Sequence, residues 1–178
     1  KTVLVTGGSL GAKKINELIY CTINDLNKLG IQVLHQTGSR AATSQAKKIR
    51  KELDNPKLYR PFDFSSEMAI LYGVADLVVG RAGATTIQEL ANAKKPAILI
   101  PARLSDQKKN AAMLKEMGAT LIAEQDDLLT KPEEFISMVQ FAVSDESLRS
   151  SLVDAMTPLA RYDVGALLAN KLLDISEV

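Results

Sequence analysis

With 178 residues, 46% of them hydrophobic and 24% charged, the chain is long enough for one domain with a buried core. Twenty-two Lys and Arg against 21 Asp and Glu leave a formal charge of +1, which lacks the basic excess that binding nucleic acid by bulk charge requires. One cysteine, Cys21, excludes an intrachain disulfide framework and any multi-cysteine zinc site, and the single histidine, His35, excludes a His-rich metal centre. No apolar run approaches the roughly 20 residues of a bilayer-spanning helix. Lys1-Thr2-Val3-Leu4-Val5 reads as a strand from its first residues, with no initiator Met and no signal-peptide pattern. The expectation is a single domain, residues 1–178, that begins inside a longer protein.

Short apolar runs alternate with amphipathic stretches along the chain. Thr2–Thr6 is β-branched and runs into Gly7-Gly8-Ser9. Helical spacing follows over residues 12–29, with Ile15, Leu18, Ile19, Ile23 and Leu26 on one face and Gly30 placed to end it. Cys21 falls among apolar residues of that helix and is expected in the core. Residues 31–35 form the next strand, and a Lys- and Gln-rich helix is predicted over 41–53. Asn55-Pro56 marks a turn before a short strand at 57–60. Residues 65–72 read as a short helix with Ser65 or Ser66 as its N-cap and Glu67 near its positive end. A Leu-Val-Val strand at 76–80, a helix at Ala84–Ala93 and a strand at 96–100 come next. A helix at 106–117 closed by Gly118, a strand at 119–123 and three helical stretches from Lys131 onward complete the order.

Strands that alternate with helices and are apolar on both faces predict an α/β fold. The form expected is a doubly wound, Rossmann-like parallel sheet with helices on both faces. Ligands of such sheets bind beyond the carboxyl ends of the strands. The segments just after the strands therefore carry the functional weight: 7–11, 36–40, 61–65, 81–86 and 101–110.

Gly7-Gly8-Ser9-Leu10-Gly11-Ala12 joins the first strand to the first helix. Glycines let backbone approach a ligand, a helix start offers unpaired N–H groups to a phosphate, and Ser9 adds a hydroxyl. The spacing is neither G-x-G-x-x-G nor a P-loop, so a plain strand-to-helix turn is the bland alternative. Arg81-Ala82-Gly83-Ala84-Thr85-Thr86 opens a second helix at the same sheet edge, which makes a second anion site, and two such sites suit a diphosphate. Glu89 lies a turn further in, where a carboxylate can accept hydrogen bonds from both hydroxyls of a ribose diol; complementing the helix dipole is its alternative role. Gln107 and Asn110 share one face of the next helix, and amides suit sugar hydroxyls. Capping by Ser105 or Asp106 is the alternative reading of that segment. His35, at a strand end, is read as structural or as a crevice residue. No Asp-x-Asp pair, Gly-x-Ser-x-Gly elbow or zinc-protease helix occurs.

Further markers are His35-Gln36-Thr37-Gly38, Met68 followed by Tyr72 and Ala75-Asp76, Pro96-Ala97-Ile98-Leu99-Ile100-Pro101 and Gln107-Lys108-Lys109-Asn110-Ala111. In their order and spacing these segments resemble the carboxyl-terminal half of the MurG family of bacterial glycosyltransferases. The resemblance covers nearly the whole chain. It implies one half of a GT-B fold, two Rossmann-like domains with a cleft between them, of which this half holds UDP-N-acetylglucosamine with no metal and no cofactor. By motif, Glu89 would hold the ribose hydroxyls, and Ser9, Gly11, Ala84, Thr85 and Thr86 would face the diphosphate. Phe64 and Ser65 fall where the family reads uracil with a backbone group, and Gln107 and Asn110 would hold the sugar. The chain departs from the family just before Gln107, where Ser105-Asp106 replaces the usual Asp-His or a paired glutamine.

The same resemblance implies inverting transfer of N-acetylglucosamine to lipid I, the undecaprenyl-pyrophosphoryl-muramyl-pentapeptide, to give lipid II in peptidoglycan synthesis. The general base and the lipid I site would lie on the missing amino-terminal domain, so no catalytic residue is assigned here. The implied location is cytoplasmic, with the full enzyme peripheral on the inner face of the plasma membrane and no nucleic acid as partner. The terminal helix, carrying Leu167, Leu168, Leu172 and Leu173, would pack back across the other domain or into the core. Other readings stay open: another GT-B transferase or a UDP-sugar 2-epimerase, the donor-binding subunit of a split UDP-N-acetylglucosamine transferase, or a non-catalytic nucleotide-binding module.

Overall fold

The computed structural model describes residues 1–103 and 106–176. Its strands are β1 (Thr2–Thr6), β2 (Gln32–Gln36), β3 (Tyr59–Phe62), β4 (Leu77–Gly80), β5 (Ala97–Leu99) and β6 (Leu121–Ile122). They form one parallel sheet in the order β3-β2-β1-β4-β5-β6. The helices between and after them are α1 (Lys13–Lys28), α2 (Arg40–Glu52), α3 (Met68–Val74), α4 (Ala84–Ala93) and α5 (Gln107–Glu116), then α6 (Gln125–Leu128), α7 (Pro132–Ser144), α8 (Glu146–Met156) and α9 (Val164–Ser176).

Strand side chains alternate between two cores, which is why the strands read as apolar throughout. Val3, Val5, Val33, Leu77, Val79 and Ile98 pack on Ile15, Leu18, Ile19 and Ile23 of α1 and on Phe135 and Val139 of α7. On the other face Leu4, Val78, Ala97 and Leu99 meet Tyr72 of α3, Leu90 of α4, Leu114 of α5 and Met156 of α8. Each fully buried aliphatic side chain contributes about 1.5–3 kcal/mol relative to exposure.

Several local expectations change. Pro56 opens a 3-10 turn over Pro56–Leu58, so β3 starts at Tyr59 rather than at 57. Pro61 is tolerated there because β3 is an edge strand. Neither Ser65 nor Ser66 caps α3: the N-cap position is Glu67, and Ser65 Oγ accepts from the Glu67 N–H in the turn before it. Asp106 holds the N-cap position of α5 without a side-chain capping bond, and Ser105 lies outside the described residues. Cys21 is exposed rather than in the core, because the buried face of α1 is Ile15, Leu18, Ile19, Thr22, Ile23 and Leu26, and position 21 falls on the opposite side. Leu172, Leu173 and Ile175 of α9 are exposed rather than packed in this chain's core. The side chains of Leu167 and Leu168 lie outside the described set.

The sheet order places the site. The chain winds from β1 out through β2 to β3, returns to β4 beside β1, and continues the other way through β5 and β6. The carboxyl ends of β1 and β4 are therefore neighbours at the reversal. The turn after β1 and the turn after β4 meet there, where open α/β sheets hold ligands.

Candidate functional site

A cleft of about 580 Å³ opens at this reversal, within the roughly 300–1,000 Å³ of small-ligand sites. Ser9, Phe64, Ser65, Ala84, Thr85, Thr86, Glu89 and Gln107 all line it. Residues far apart in sequence thus converge from the β1 turn, the loop after β3, the first turns of α4 and the start of α5.

Two expected residues lie outside that lining. Gly11 adopts φ +72°, donates its N–H to the Gly8 carbonyl at 3.0 Å, and sits so close to β2 that an added Cβ would collide with the Thr37 carbonyl oxygen. Its part is to let the turn close against the end of β2. Asn110 borders a separate hollow with Ile87, Gln88, Met113 and Leu159, and its Nδ2 donates to the Ala82 carbonyl at 3.0 Å, which ties α5 to the turn that leads into α4.

The start of α4 is the candidate anion-binding element. Gly83 occupies the N-cap position and supplies no side chain, so no capping bond covers the first N–H groups. These groups and the positive end of the helix face the cleft beside the Thr85 and Thr86 hydroxyls. The sequence expectation is a second helix N-terminus beside it at the same sheet edge. The start of α1 opens into a neighbouring hollow with Leu10, Asn16, Tyr20 and Ser39, while Gly7, Gly8 and Ser9 of the preceding turn reach the cleft. Arg81, named in the sequence reading only as the first residue of the turn into α4, adds a positive side chain to the lining. Its Nη1 donates to the Ile100 carbonyl at 3.0 Å. Burial lowers its pKa from the usual value.

Glu89 is half-buried on the cleft wall, and Oε2 accepts the Tyr72 hydroxyl at 2.8 Å. Tyr72 comes from α3 and is 3% exposed. Burial, then the hydrogen bond to Glu89 and the negative charge there, push the phenol pKa well above its ordinary value, so it stays a hydrogen-bond donor at neutral pH. Gln36 is also in the lining; Nε2 donates to the Gly8 carbonyl at 3.3 Å, while Oε1 is buried with no hydrogen-bond partner. The loop after β3 is held by its own side chains: the Phe64 N–H donates to Asp63 Oδ1 at 3.1 Å. Gln107 Oε1 accepts from the Ala102 N–H at 3.1 Å.

His35 is structural. It is fully buried, with Nε2 3.0 Å from Asn16 Oδ1 and Nδ1 2.8 Å from the Tyr59 hydroxyl. Asn16 Nδ2 donates to the Thr37 carbonyl, which leaves Oδ1 as an acceptor. The imidazole proton therefore sits on Nε2, and Nδ1 accepts from Tyr59. Burial holds the ring neutral, with its pKa lowered to about 3. The single histidine of this chain is thus engaged away from the cleft lining. No group of His, Cys, Asp and Glu that could hold a metal ion occurs among the described residues.

Comparison with known proteins adds four findings. The glycosyltransferase family 28 C-terminal domain matches residues 2–151. A UDP-N-acetylglucosamine--N-acetylmuramyl-(pentapeptide) pyrophosphoryl-undecaprenol N-acetylglucosamine transferase from Nitratidesulfovibrio vulgaris strain DP4 is 33% identical over 178 residues, covering 98% of this chain and 48% of that protein. The crystal structure of Acinetobacter baumannii MurG superposes with a TM-score of 0.79 at 26% identity, covering 97% of this chain and 49% of that one. The C-terminal CMP-Kdo binding domain of WaaA from the same organism shares the fold, with a TM-score of 0.66 at 13% identity over 89% of this chain and 88% of that one. The chain spans about half the length of the full-length transferases it matches.

Proposed function

The chain belongs to the glycosyltransferase family 28 C-terminal domains, and we propose that it is the sugar-donor half of a two-domain GT-B enzyme. That enzyme transfers N-acetylglucosamine from UDP-N-acetylglucosamine to lipid I and gives lipid II for peptidoglycan. The observation that carries this reading is one cleft lined together by the glycine turn, Arg81, the uncapped start of α4 and Glu89. The names of the relatives supply the reaction and substrates.

In this reading the diphosphate lies across the first turn of α4, between Thr85 and Thr86 on one side and Ser9 on the other. Glu89 accepts the ribose hydroxyls. Uracil rests on Phe64, which is 59% exposed and available to stack. The backbone of Ser65 reads the base, because the Phe64 N–H is already engaged by Asp63. Gln107 contacts the sugar, and Asn110 acts by holding the turn that precedes α4. The acceptor hydroxyl attacks the anomeric carbon with inversion, and UDP leaves. Charge that develops on UDP is stabilised by the α4 dipole and Arg81, fixed before the reaction begins. The general base and the lipid I site belong to the other domain, and the whole enzyme works at the cytoplasmic face of the plasma membrane. No described helix is long and apolar enough to cross a membrane.

A transfer assay tests the division of labour. The intact protein is expected to move labelled N-acetylglucosamine to lipid I in the presence of EDTA, and residues 1–178 alone are expected to turn over barely at all. Robust transfer by residues 1–178 would overturn the assignment of the base and acceptor site to another domain. Loss of the intact protein's activity in EDTA would overturn the metal-free mechanism.

A further inference from the structure

From the contact between α3 and α4 we infer that Tyr72 is a positioning residue for ribose recognition: its hydroxyl fixes the Glu89 carboxylate in the orientation that a vicinal diol requires. This rests on Glu89 as the ribose-binding group. Neither the spacing of the sequence nor the family comparison assigns Tyr72 a part in binding.

Three observations carry it. Tyr72 is 3% exposed and packs within the core cluster that includes Leu90 of α4, so its ring has no freedom to swing with the carboxylate. Its hydroxyl reaches Glu89 Oε2 at 2.8 Å, a good length for a charge-assisted O–H···O bond. Both residues line the cleft, and both also border the apolar hollow formed with Met68, Ala69, Gly73, Asn92 and Ala93 on its far side. A glutamate on an open helix face samples many rotamers, and ordering such a side chain carries an entropic cost. The Tyr72 bond meets that cost before the ligand arrives. It occupies one position on Oε2 and leaves Oε1 and the second lone pair of Oε2 for the two hydroxyls. A phenol held protonated by burial and by the neighbouring carboxylate keeps this arrangement across the neutral range.

The test is a comparison of UDP with 2′-deoxy-UDP, titrated into the intact protein and into its Tyr72→Phe, Glu89→Ala and doubly substituted forms. The readout is the ratio of the two dissociation constants, which a general loss of fold or cleft shape leaves unchanged. The wild-type protein is expected to favour UDP. Tyr72→Phe is expected to weaken UDP about three- to tenfold, the span of one net hydrogen bond, while weakening 2′-deoxy-UDP less, so that the ratio falls. In the Glu89→Ala background, Tyr72→Phe is expected to change neither constant. An unchanged ratio in Tyr72→Phe, with the wild type still selective, would overturn the positioning role and leave the ribose role of Glu89 standing. A wild-type protein that does not distinguish the two nucleotides would overturn the ribose reading and the positioning role together.

Discussion

Burial separates Glu89, which stands on the cleft wall, from His35, which is enclosed in the fold. Glu89 stands half-buried on the cleft wall with one oxygen tied to Tyr72. Two charge-assisted bonds to a ribose diol, at about 1.5–3 kcal/mol each when fully desolvated, set an upper bound. In this open cleft Glu89→Ala is expected to weaken UDP-N-acetylglucosamine about 10- to 100-fold in a titration, with the thermal midpoint little changed. His35 belongs to the fold. Its pKa is about 3 in the folded chain against an ordinary 6.5, so the unfolded chain binds more protons between those values. Stability is therefore complete above about pH 6.5 and falls by about 1.4 kcal/mol per unit as pH drops through that window. Urea unfolding at pH 7 and pH 5 is expected to show a steeper acid loss in wild type than in His35→Gln, and equal losses would contradict the assignment. The place of Glu89 on the cleft wall was legible from its position one turn past a strand-to-helix junction. The Tyr72 contact was not, because it joins two helices across 17 positions and no periodicity records it. Cys21 was misread because an apolar neighbourhood in sequence does not say which side of a helix a residue takes.

In the proposed function the α4 start carries diphosphate binding, and the two ends of the helix explain why its span was readable. Gly83 begins it in extended backbone and Lys94 ends it in the left-handed region, so the predicted Ala84–Ala93 span is the observed one. β3 was displaced because Lys57 and Leu58, which read as strand, are drawn into the turn that Pro56 opens. The division of the glycine turn was not legible either: Gly7, Gly8 and Ser9 face the cleft while Gly11 and the start of α1 turn away from it. An uncapped helix start kept for an anion makes an opposed prediction for stability and function. Gly83 has φ −77°, and an added Cβ would meet only Gln107 Nε2, at 4.0 Å, so a side chain fits. Gly83→Asp is expected to raise the unfolding free energy by a few tenths of a kcal/mol through capping. The same carboxylate covers the anion site, so affinity for UDP is expected to fall at least tenfold. Retained UDP affinity in Gly83→Asp, measured by titration, would remove α4 from the diphosphate site.

At the scale of the molecule, the winding of the chain decides where chemistry gathers. A sheet that reverses direction between β1 and β4 sets the glycine turn, Arg81, the α4 start and Glu89 around one opening. The alternation of apolar strands and amphipathic helices made that architecture readable from the sequence, because parallel strands buried on both faces leave few other arrangements. What lies across the opening was not readable, since the chain spans about half of its full-length relatives. The central claim is that this half recognises a uridine diphosphate sugar by itself, and calorimetric titration of residues 1–178 with UDP-N-acetylglucosamine, with ADP as the control, tests it most directly. The account predicts saturable heat with the uridine ligand and none with ADP. Equal affinity for both nucleotides, or no heat with either, would contradict it.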